Sequence, residues 1–348
     1  QAPATRPLGY WLEMPNINLH ILPVFNKEYD GYLKFFQIQR QLAALANCDL
    51  VNVRLPTLHG ILGYKIAKRL DKPIFSSIVG DIKQTIATNN YTGLKKLLGQ
   101  FVIYHHEKTI DQIIRNVPTV TNGRALYSKF QPNAFALYQT VTTTLTKADI
   151  QPRVDTCQNE VIHLLFVGQV IEAKGVPLLI STLSQLVNTG IRIHLNVVGD
   201  GKINQMKKIA QAQQISQHIT FWGHLNWGPT LFEQYRQADI FVFPTNYGEG
   251  TPRVILEAMA NGLPVIASNI AGIPDVISHY YNGILVNPNC ADELQRQILN
   301  IINDGQLRKN LIAAALKTAY DHTLDHQTKT MLQNLAPHFP KLAKRLFI

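Results

Sequence analysis

The sequence predicts an α/β protein of two domains, each built around a parallel sheet. Strand-like and helix-like segments alternate in both halves of the chain, which is the pattern of parallel α/β layers. A polar stretch at residues 142–160 interrupts this alternation and is the best linker candidate in the chain. The length of 348 residues allows each half its own hydrophobic core. We therefore assign residues 1–150 to a first domain and residues 151–322 to a second.

The first domain is predicted to alternate short strands with helices. In chain order, the patterns predict a helix at 35–46, a strand at 50–54, a helix at 60–70, a strand at 73–78, an amphipathic helix within 92–115, a strand at 117–121 and a short helix from Arg124. Because helices separate the successive strands, we expect these strands to lie parallel to one another.

The second domain contains the clearest strand of the sequence. Residues 240–243 (IFVF) are wholly apolar, as expected for a parallel strand that is buried on both faces. A loop follows, and residues 253–261 then carry a helical pattern. The alternation continues to about residue 320 without any repeat of fixed period.

Composition is that of an ordinary globular protein, with 46% hydrophobic and 16% charged residues. No apolar stretch approaches the roughly 20 residues needed to span a bilayer, and the N-terminal residues do not read as a signal peptide. Cys48, Cys157 and Cys290 are too widely spaced for a disulfide framework or a cysteine metal site. These features predict a protein of the reducing cytoplasm.

The positive charge of the chain is concentrated in its first half. The formal net charge is +10, with 17 Lys/Arg against 9 Asp/Glu in residues 1–150 and 16 against 14 in residues 151–348. Residues 92–115 combine lysines with an apolar helix face, and such a helix can lie on an anionic membrane surface. Alternatively, the apolar face packs into the domain core and leaves the lysines in solvent. Nucleic acid is not an expected partner, because no aromatic platform accompanies the basic residues.

The loop after the apolar strand has the sequence of a helix start. Thr251 is suited to the N-cap position and Pro252 to the first helical position, where the N–H that proline lacks has no partner in any case. The N–H groups of Arg253 and Val254 then lie at the start of the helix without helical acceptors. A helix start of this kind favours the binding of a phosphate group.

Two glutamates flank this helix start. Glu249 lies in the loop after the strand, and Glu257 lies on the helix, one turn beyond Arg253. In this placement one carboxylate can reach a sugar, and the other can accept hydrogen bonds from ribose hydroxyls. The alternative is an ordinary loop carboxylate at Glu249 and a solvated Glu257 that pairs with Arg253 at i, i+4. The flanking sequence favours the first interpretation.

Five ordered blocks between residues 161 and 294 resemble a known family. They are LLFVGQVIEAKGVPLLISTL, LNVVGDGKINQMKKIA, ITFWGHLNWGPTLFEQYRQADIFVFP, the segment that holds both glutamates, and PVIASNIAGIPDVISHYYNGILVNPNCADEL. In order and content they resemble the retaining glycosyltransferases of family 4, such as those of bacterial polysaccharide synthesis. The resemblance implies the GT-B fold, in which two Rossmann-like domains face a cleft. It also implies that a C-terminal helix, here residues 323–348, crosses back to the first domain.

The resemblance implies roles for individual residues of the second domain. Gly168 ends the strand before the phosphate-binding loop, and Lys174 matches the lysine that meets the donor diphosphate. Glu249 matches the acidic residue that binds the donor sugar, and Glu257 matches the one that holds the ribose. We therefore count Gly168 and Glu257 among the donor-binding residues and expect Lys174 and Glu249 to act in catalysis.

The donor site departs from the family pattern at two places. Gln169 stands where the family usually has arginine, so one charge contact to the diphosphate has to come from elsewhere, with Arg253 as the candidate. After the first glutamate, this chain reads TPR where the family usually has a loop rich in glycine and aromatic residues. The donor sugar is therefore left open. Gly223 to Leu225 lies where the family places the nucleotide base against the backbone.

The acceptor side gives weaker signals. Asp81 stands in a loop where many members of the family carry a histidine, and it can bind an acceptor hydroxyl, take its proton or cap the next helix. Arg54, His59 and Asn122 lie at neighbouring strand-end loops and are candidate acceptor contacts, although capping explains Asn122 equally well. The chain begins at a point where the family has already passed its first strand, glycine-rich turn and helix. We therefore expect that segment to be missing or strongly diverged.

These features together predict a cytoplasmic, membrane-peripheral enzyme that moves a sugar with retention at the anomeric carbon. Glu249, Lys174 and Asp81 are the expected catalytic residues. A UDP- or GDP-sugar is the expected co-substrate, and a lipid-linked or oligosaccharide precursor is the expected acceptor. No metal or further cofactor is expected, because the sequence offers no Asp-x-Asp pair or histidine cluster. The alternatives are a sugar-nucleotide 2-epimerase and a non-catalytic partner subunit of a glycosyltransferase.

Overall fold

The computed structural model describes residues 43–80, 94–247 and 251–346. Most of the helix predicted at residues 35–46 lies outside these ranges, and its described end is a short 3-10 turn, Ala43–Asn47. The predicted catalytic residues Asp81 and Glu249 also lie outside the described residues.

Among the described residues, the first sheet has four parallel strands that lie side by side in chain order: β1 (Val51–Leu55), β2 (Ile74–Ile78), β3 (Pro118–Asn122) and β4 (Ala136–Thr140). The helices described with them are α1 (Leu58–Arg69), α2 (Leu94–Ile114) and α3 (Arg124–Phe130). The predicted strands and helices are found with small shifts at their ends. Strand β4 was not predicted, because it is an edge strand whose residues are half-buried or exposed and do not alternate.

In the part of the chain that the structure describes, the second sheet has six parallel strands: β5 (Ile162–Val167), β6 (Ile193–Val198), β7 (Ile219–Gly223), β8 (Ile240–Phe243), β9 (Val265–Ser268) and β10 (Ile284–Val286). Their order across the sheet is β10-β9-β8-β5-β6-β7. The strand order therefore reverses direction next to β5, and open sheets of this kind bind ligands at such a switch point.

Six helices pack around the second sheet: α4 (Val176–Asn188), α5 (Ile203–Ala212), α6 (Pro229–Gln237), α7 (Arg253–Ala260), α8 (Ala291–Asn303) and α9 (Gly305–Asp321). The predicted strand at residues 240–243 coincides with β8, and all four of its residues are buried. The core of this sheet is separate from that of the first sheet. The predicted α/β architecture with two parallel sheets is confirmed, while the exact domain boundaries stay a prediction.

The last two helices are α10 (Leu324–Leu335) and α11 (Pro340–Leu346), and α10 returns to the first sheet. Leu335 is buried against Phe75 of β2 and Val120 of β3. The side chain of Gln327 accepts hydrogen bonds from Thr140 Oγ1 at 2.9 Å and from the N–H of Val141 at 3.1 Å. The predicted return of the C-terminal segment to the first domain is therefore confirmed.

The chain passes between the two halves at two places that touch each other. The first passage is the segment after β4, which holds only a short 3-10 turn, Lys147–Asp149, before β5. The second passage precedes α10. The N–H of Leu324 in the second passage donates a 2.6 Å hydrogen bond to the carbonyl of Leu145 in the first. Throughout the described ranges, no helix is both long and apolar enough to cross a membrane.

Candidate active site

A cavity of about 770 Å³ opens at the carboxyl edge of the second sheet, beside the switch point. Most of the predicted donor-site residues line it: Gly168, Gln169, Leu225, Arg253, Val254 and Glu257. Gly223, Thr251 and Pro252 lie within two residues of this lining along the chain. The structure therefore brings the predicted donor-binding residues of three separate loops to one place.

Two glycine turns that contact each other form one wall of the cavity. Gly199 follows β6 with a φ of +139°, and a Cβ at this position would lie 1.8 Å from the carbonyl oxygen of Gly168 after β5. Gly201 is held in the same way, because its Cβ would lie 2.6 Å from the carbonyl oxygen of Val170. Only glycine allows this close approach. The two loops therefore present bare backbone to the cavity.

The start of α7 lies at the cavity, but its N-cap is not the predicted one. Pro252, with φ −70° and ψ 122°, is the N-cap residue, and the helix begins at Arg253. Thr251 lies one residue too far from the helix to cap it, and its Oγ1 lies 3.5 Å from the carbonyl of Gly272 instead. The N–H groups of Arg253 and Val254 nevertheless occupy the first helical positions, where the positive end of the helix dipole lies.

Glu257 is a buried residue of α7 that lines the cavity. It is only 5% exposed, so the alternative of a solvated helix residue is wrong. Its Oε2 accepts a 2.9 Å hydrogen bond from the hydroxyl of Tyr235 in α6. The pKa of Glu257 is raised, chiefly by burial and to a smaller extent by the carboxylate of Asp149. The Tyr235 hydroxyl and the positive charge of Arg253 oppose this shift.

Lys174 lies against two aromatic rings and is not among the described residues that line the cavity. It ends the 3-10 turn Glu172–Lys174 and is 8% exposed. Its ammonium lies 5.7 Å from the ring centroid of Tyr247 and 6.0 Å from that of Phe243. Burial lowers the pKa of Lys174. Ile171, three residues earlier in the same loop, does line the cavity.

Several cavity residues were not predicted from the sequence. His224 and Trp227 line the cavity on either side of Leu225, and Asp200 faces His224 with 3.9 Å between its Oδ2 and His224 Nδ1. Tyr235 was missed as well, because a tyrosine at helical spacing reads as core. His224 lies inside the predicted base-binding stretch, Gly223 to Leu225, although it was not named as a site residue. The sequence signal for Trp227 is its place two residues beyond that stretch, in the loop after β7.

The predicted acceptor-side residues Arg54, His59 and Asn122 do not belong to the described lining of this cavity. Arg54 is an exposed residue of β1. His59 is the second residue of α1, whose N-cap Thr57 accepts from the N–H of Gly60. The side chain of Asn122 accepts a 2.8 Å hydrogen bond from the N–H of Thr142, just after β4. It does not cap α3, whose N-cap is Gly123 without a side-chain cap.

The two halves of the chain meet directly at the cleft. The N–H of Arg124, at the start of α3, donates a 2.7 Å hydrogen bond to the carboxylate of Asp275, which follows β9. Gly123 has a φ of +86°, and a Cβ there would lie 3.8 Å from Thr251 Oγ1. The end of β3 in the first sheet therefore faces the start of α7 in the second.

Comparison with known proteins agrees with this geometry. Residues 150–318 match the family described as glycosyl transferases group 1. The second half of the chain thus carries the match to this family. Its relatives include Protein CapJ of Staphylococcus aureus, 24% identical over 285 residues, with 81% of this chain and 70% of that protein covered.

A second relative is the phosphatidyl-myo-inositol mannosyltransferase of Mycolicibacterium smegmatis. It is 30% identical over 165 residues, which are 47% of this chain and 42% of the relative. The chain thus matches less than half the length of that protein. Among solved structures, HepE of Anabaena in complex with UDP and glucose matches with a TM-score of 0.67 and 16% identity, covering 90% of this chain and 84% of HepE. This likeness confirms the GT-B fold.

Proposed function

We propose that this glycosyl transferase moves a sugar from a nucleoside-diphosphate sugar to a lipid-linked or oligosaccharide acceptor, with retention at the anomeric carbon. One observation carries the proposal. The cavity combines the contacting turns at Gly168 and Gly199, the start of α7 and the buried carboxylate of Glu257. The bare backbone and the helix start suit a diphosphate, and the carboxylate suits ribose hydroxyls.

The positive charge of the site suits a diphosphate, although the cationic residues are placed differently from the family pattern. Gln169, which lines the cavity, is neutral, although the family resemblance leads one to expect arginine there. Arg253 lines the same cavity from the first position of α7, where its charge adds to that of the helix dipole. Lys174 lies in the same loop as Ile171 and Gln169 of the lining, three and five residues after them. We assign the neutralisation of the donor diphosphate to Arg253 and Lys174.

The proposed reaction places its charge where these groups lie. In retaining transfer, the diphosphate leaves from the face of the sugar at which the acceptor hydroxyl arrives, and the leaving group itself helps to remove the proton. Negative charge grows on the phosphate oxygen as the bond to the sugar breaks. Fixed cations and N–H groups stabilise such charge without reorganisation. Glu249 is assigned to the sugar and Asp81 to the acceptor hydroxyl, both from the sequence.

Two observations support a lipid-linked or polysaccharide-precursor acceptor at the inner face of the membrane. One relative is named for phosphatidyl-myo-inositol, which is a lipid. The first half of the chain carries most of the net positive charge, which favours an anionic acceptor or membrane surface. The role of the basic helix α2 in surface binding stays a prediction.

A thermal-shift panel tests the donor part of the proposal. The protein is mixed with UDP, GDP, ADP and TDP and with their common sugar conjugates. A ligand at about 100 times its Kd stabilises the native state by roughly 2.7 kcal/mol, so one nucleotide is expected to raise the Tm clearly. Failure of every nucleotide to shift the Tm contradicts the proposed donor site.

Product analysis tests the reaction. With the stabilising sugar nucleotide and a lipid-linked acceptor, NMR of the product is expected to show the anomeric configuration of the donor. Release of an epimerised sugar without acceptor identifies a 2-epimerase instead. Gln169 favours one further candidate, a non-catalytic partner subunit. That function is identified by tight nucleotide binding with no transfer until a second glycosyltransferase subunit is added.

A further inference from the structure

Tyr235 is fully buried between α6 and the sheet, yet it carries a polar hydroxyl. A buried hydroxyl needs a hydrogen-bond partner, because leaving it unpaired costs about 1–3 kcal/mol. The partner is Glu257 Oε2, at 2.9 Å. The hydroxyl of a core residue is thus directed at the one carboxylate that α7 presents to the cavity.

The carboxylate of Glu257 has one oxygen occupied and one available. Oε2 is held by Tyr235, while Oε1 has no hydrogen-bond partner among the described residues. The backbone of Glu257 is also fixed, because Asn261 Nδ2 donates a 2.8 Å hydrogen bond to its carbonyl. Since Glu257 lines the cavity, the available oxygen lies where a ligand hydroxyl can reach it.

We propose that Tyr235 is a positioning residue that fixes Glu257 to accept hydrogen bonds from the vicinal hydroxyls of the donor ribose, and so makes the site selective for ribonucleotides over 2′-deoxyribonucleotides. This inference rests on the proposed function. Tyr235 does not touch the substrate. It acts by holding one carboxylate oxygen so that the other keeps a single orientation.

The charges around Glu257 explain why its carboxylate needs the hydrogen bond from Tyr235. Burial raises the pKa of Glu257, and the carboxylate of Asp149, in the turn before β5, acts in the same direction. The hydroxyl of Tyr235 on α6 and the guanidinium of Arg253 on α7 lower it. Removal of the hydroxyl therefore raises the pKa further. A protonated Glu257 accepts ribose hydroxyls poorly, so donor affinity is lost at a higher pH.

The experiment compares Tyr235→Phe with the wild-type protein. Calorimetry gives the Kd of UDP, GDP and their 2′-deoxy counterparts between pH 5 and 8, and urea unfolding gives the stability. Tyr280→Phe is the matched control, because it removes a hydroxyl that is bonded to Gln297 Oε1 at 2.8 Å and does not line the described cavity. We expect the wild type to bind the better ribonucleotide roughly tenfold or more tightly than its 2′-deoxy form.

In Tyr235→Phe we expect this ratio to shrink several-fold and the acidic loss of affinity to begin at a higher pH. Tyr280→Phe is expected to keep both. A merely structural hydroxyl changes the urea midpoint and leaves the ratio and the pH profile as they are, and that result overturns the inference. If the wild type binds neither UDP nor GDP, the proposed function itself fails.

A second variant keeps the test decisive if Tyr235→Phe does not fold. Glu257→Gln preserves the size of the side chain and can still take a hydrogen bond from Tyr235. We expect it to lose both the preference for ribonucleotides and the acidic loss of affinity. Persistence of a tenfold preference in Glu257→Gln means that the ribose is read elsewhere, which also overturns the role of Tyr235.

Discussion

The ammonium of Lys174 lies 5.7 Å from the ring centroid of Tyr247, at the point where the loop after β5 meets the loop after β8. The two loops are also joined through Ala173, whose carbonyl accepts hydrogen bonds from the N–H of Asn246 at 3.0 Å and from Thr245 Oγ1 at 3.1 Å. A displacement of one loop is therefore passed to the other.

Lys174→Met should weaken nucleoside-diphosphate binding by roughly 10- to 100-fold, because it removes a charge-assisted contact to phosphate. Calorimetry with UDP and GDP measures this. Lys147→Met is the control, since Lys147 also lies over a tyrosine ring, 5.3 Å from the centroid of Tyr320, but outside the described cavity lining. Equal losses in both variants contradict the assigned role.

The pH dependence of diphosphate binding should also report on Lys174. Burial lowers the pKa of its ammonium from the usual 10.5. The charged form therefore predominates below this lowered pKa, and affinity should fall as the pH rises through it, at a lower pH than for an exposed lysine. In Lys174→Met this alkaline loss should disappear. If the affinity of the wild type for the diphosphate stays constant with pH up to the usual lysine pKa of 10.5, Lys174 does not contact the diphosphate.

The ring of Tyr247 should matter more than its hydroxyl. Tyr247→Leu removes the aromatic face next to the ammonium and is expected to raise the Kd for the diphosphate by roughly 2- to 30-fold. Tyr247→Phe keeps the ring and should bind as the wild type does. Tyr247 is 46% exposed, so both variants should unfold within about 0.5 kcal/mol of the wild type. Equal affinities of the two variants exclude a role for the ring.

The proposed division of charge between Arg253 and Gln169 can be tested by exchange. Arg253→Gln should weaken binding of UDP or GDP by roughly tenfold, and a second change, Gln169→Arg, should restore part of it because both residues line one cavity. The free nucleoside is the matched ligand, and its affinity should not change. A nucleoside that loses affinity in parallel indicates a distorted site instead of a lost phosphate contact.

The contact of the two glycine turns should set the stability of the cavity wall. Gly199→Ala places a Cβ 1.8 Å from the carbonyl of Gly168, so the loops must separate. Gly190→Ala shares the positive φ, at +85°, but its Cβ meets nothing within 4 Å, and it should cost only about 1–2 kcal/mol of backbone strain. Gly199→Ala should lower the free energy of unfolding, measured in urea, clearly more than Gly190→Ala does. Similar decreases in the two variants contradict the contact between Gly199 and Gly168.

The elements that could be predicted are those whose side chains all face one environment. Strand β8 was found at its observed ends because all four residues are apolar and buried. Strand β4 was missed because its half-buried residues carry no periodic signal. The shift of the N-cap from Thr251 to Pro252 shows a related limit, since both residues suit a helix start and only the observed backbone angles distinguish them.

The candidate site was predictable where it depends on the chain order of motifs, and not where it depends on packing. Glu257 and Gly168 follow from the order of the sequence blocks, and the fold brings them to one cavity. Tyr235 and Glu257 are 22 residues apart in the sequence and lie on different helices, so no local pattern specifies their pairing. The position of Lys174 beside Tyr247 depends in the same way on how two loops meet.

The bond between Leu324 and Leu145 fastens the two passages of the chain to each other where they leave one half for the other. Two connecting segments that are bonded to each other at one point can act as a hinge. The two halves can rotate about this hinge, whereas a sliding motion would break the hydrogen bond between Leu324 and Leu145. We therefore expect any opening of the cleft to rotate the first sheet as a rigid body, with α10 carried along because Leu335 belongs to its packing.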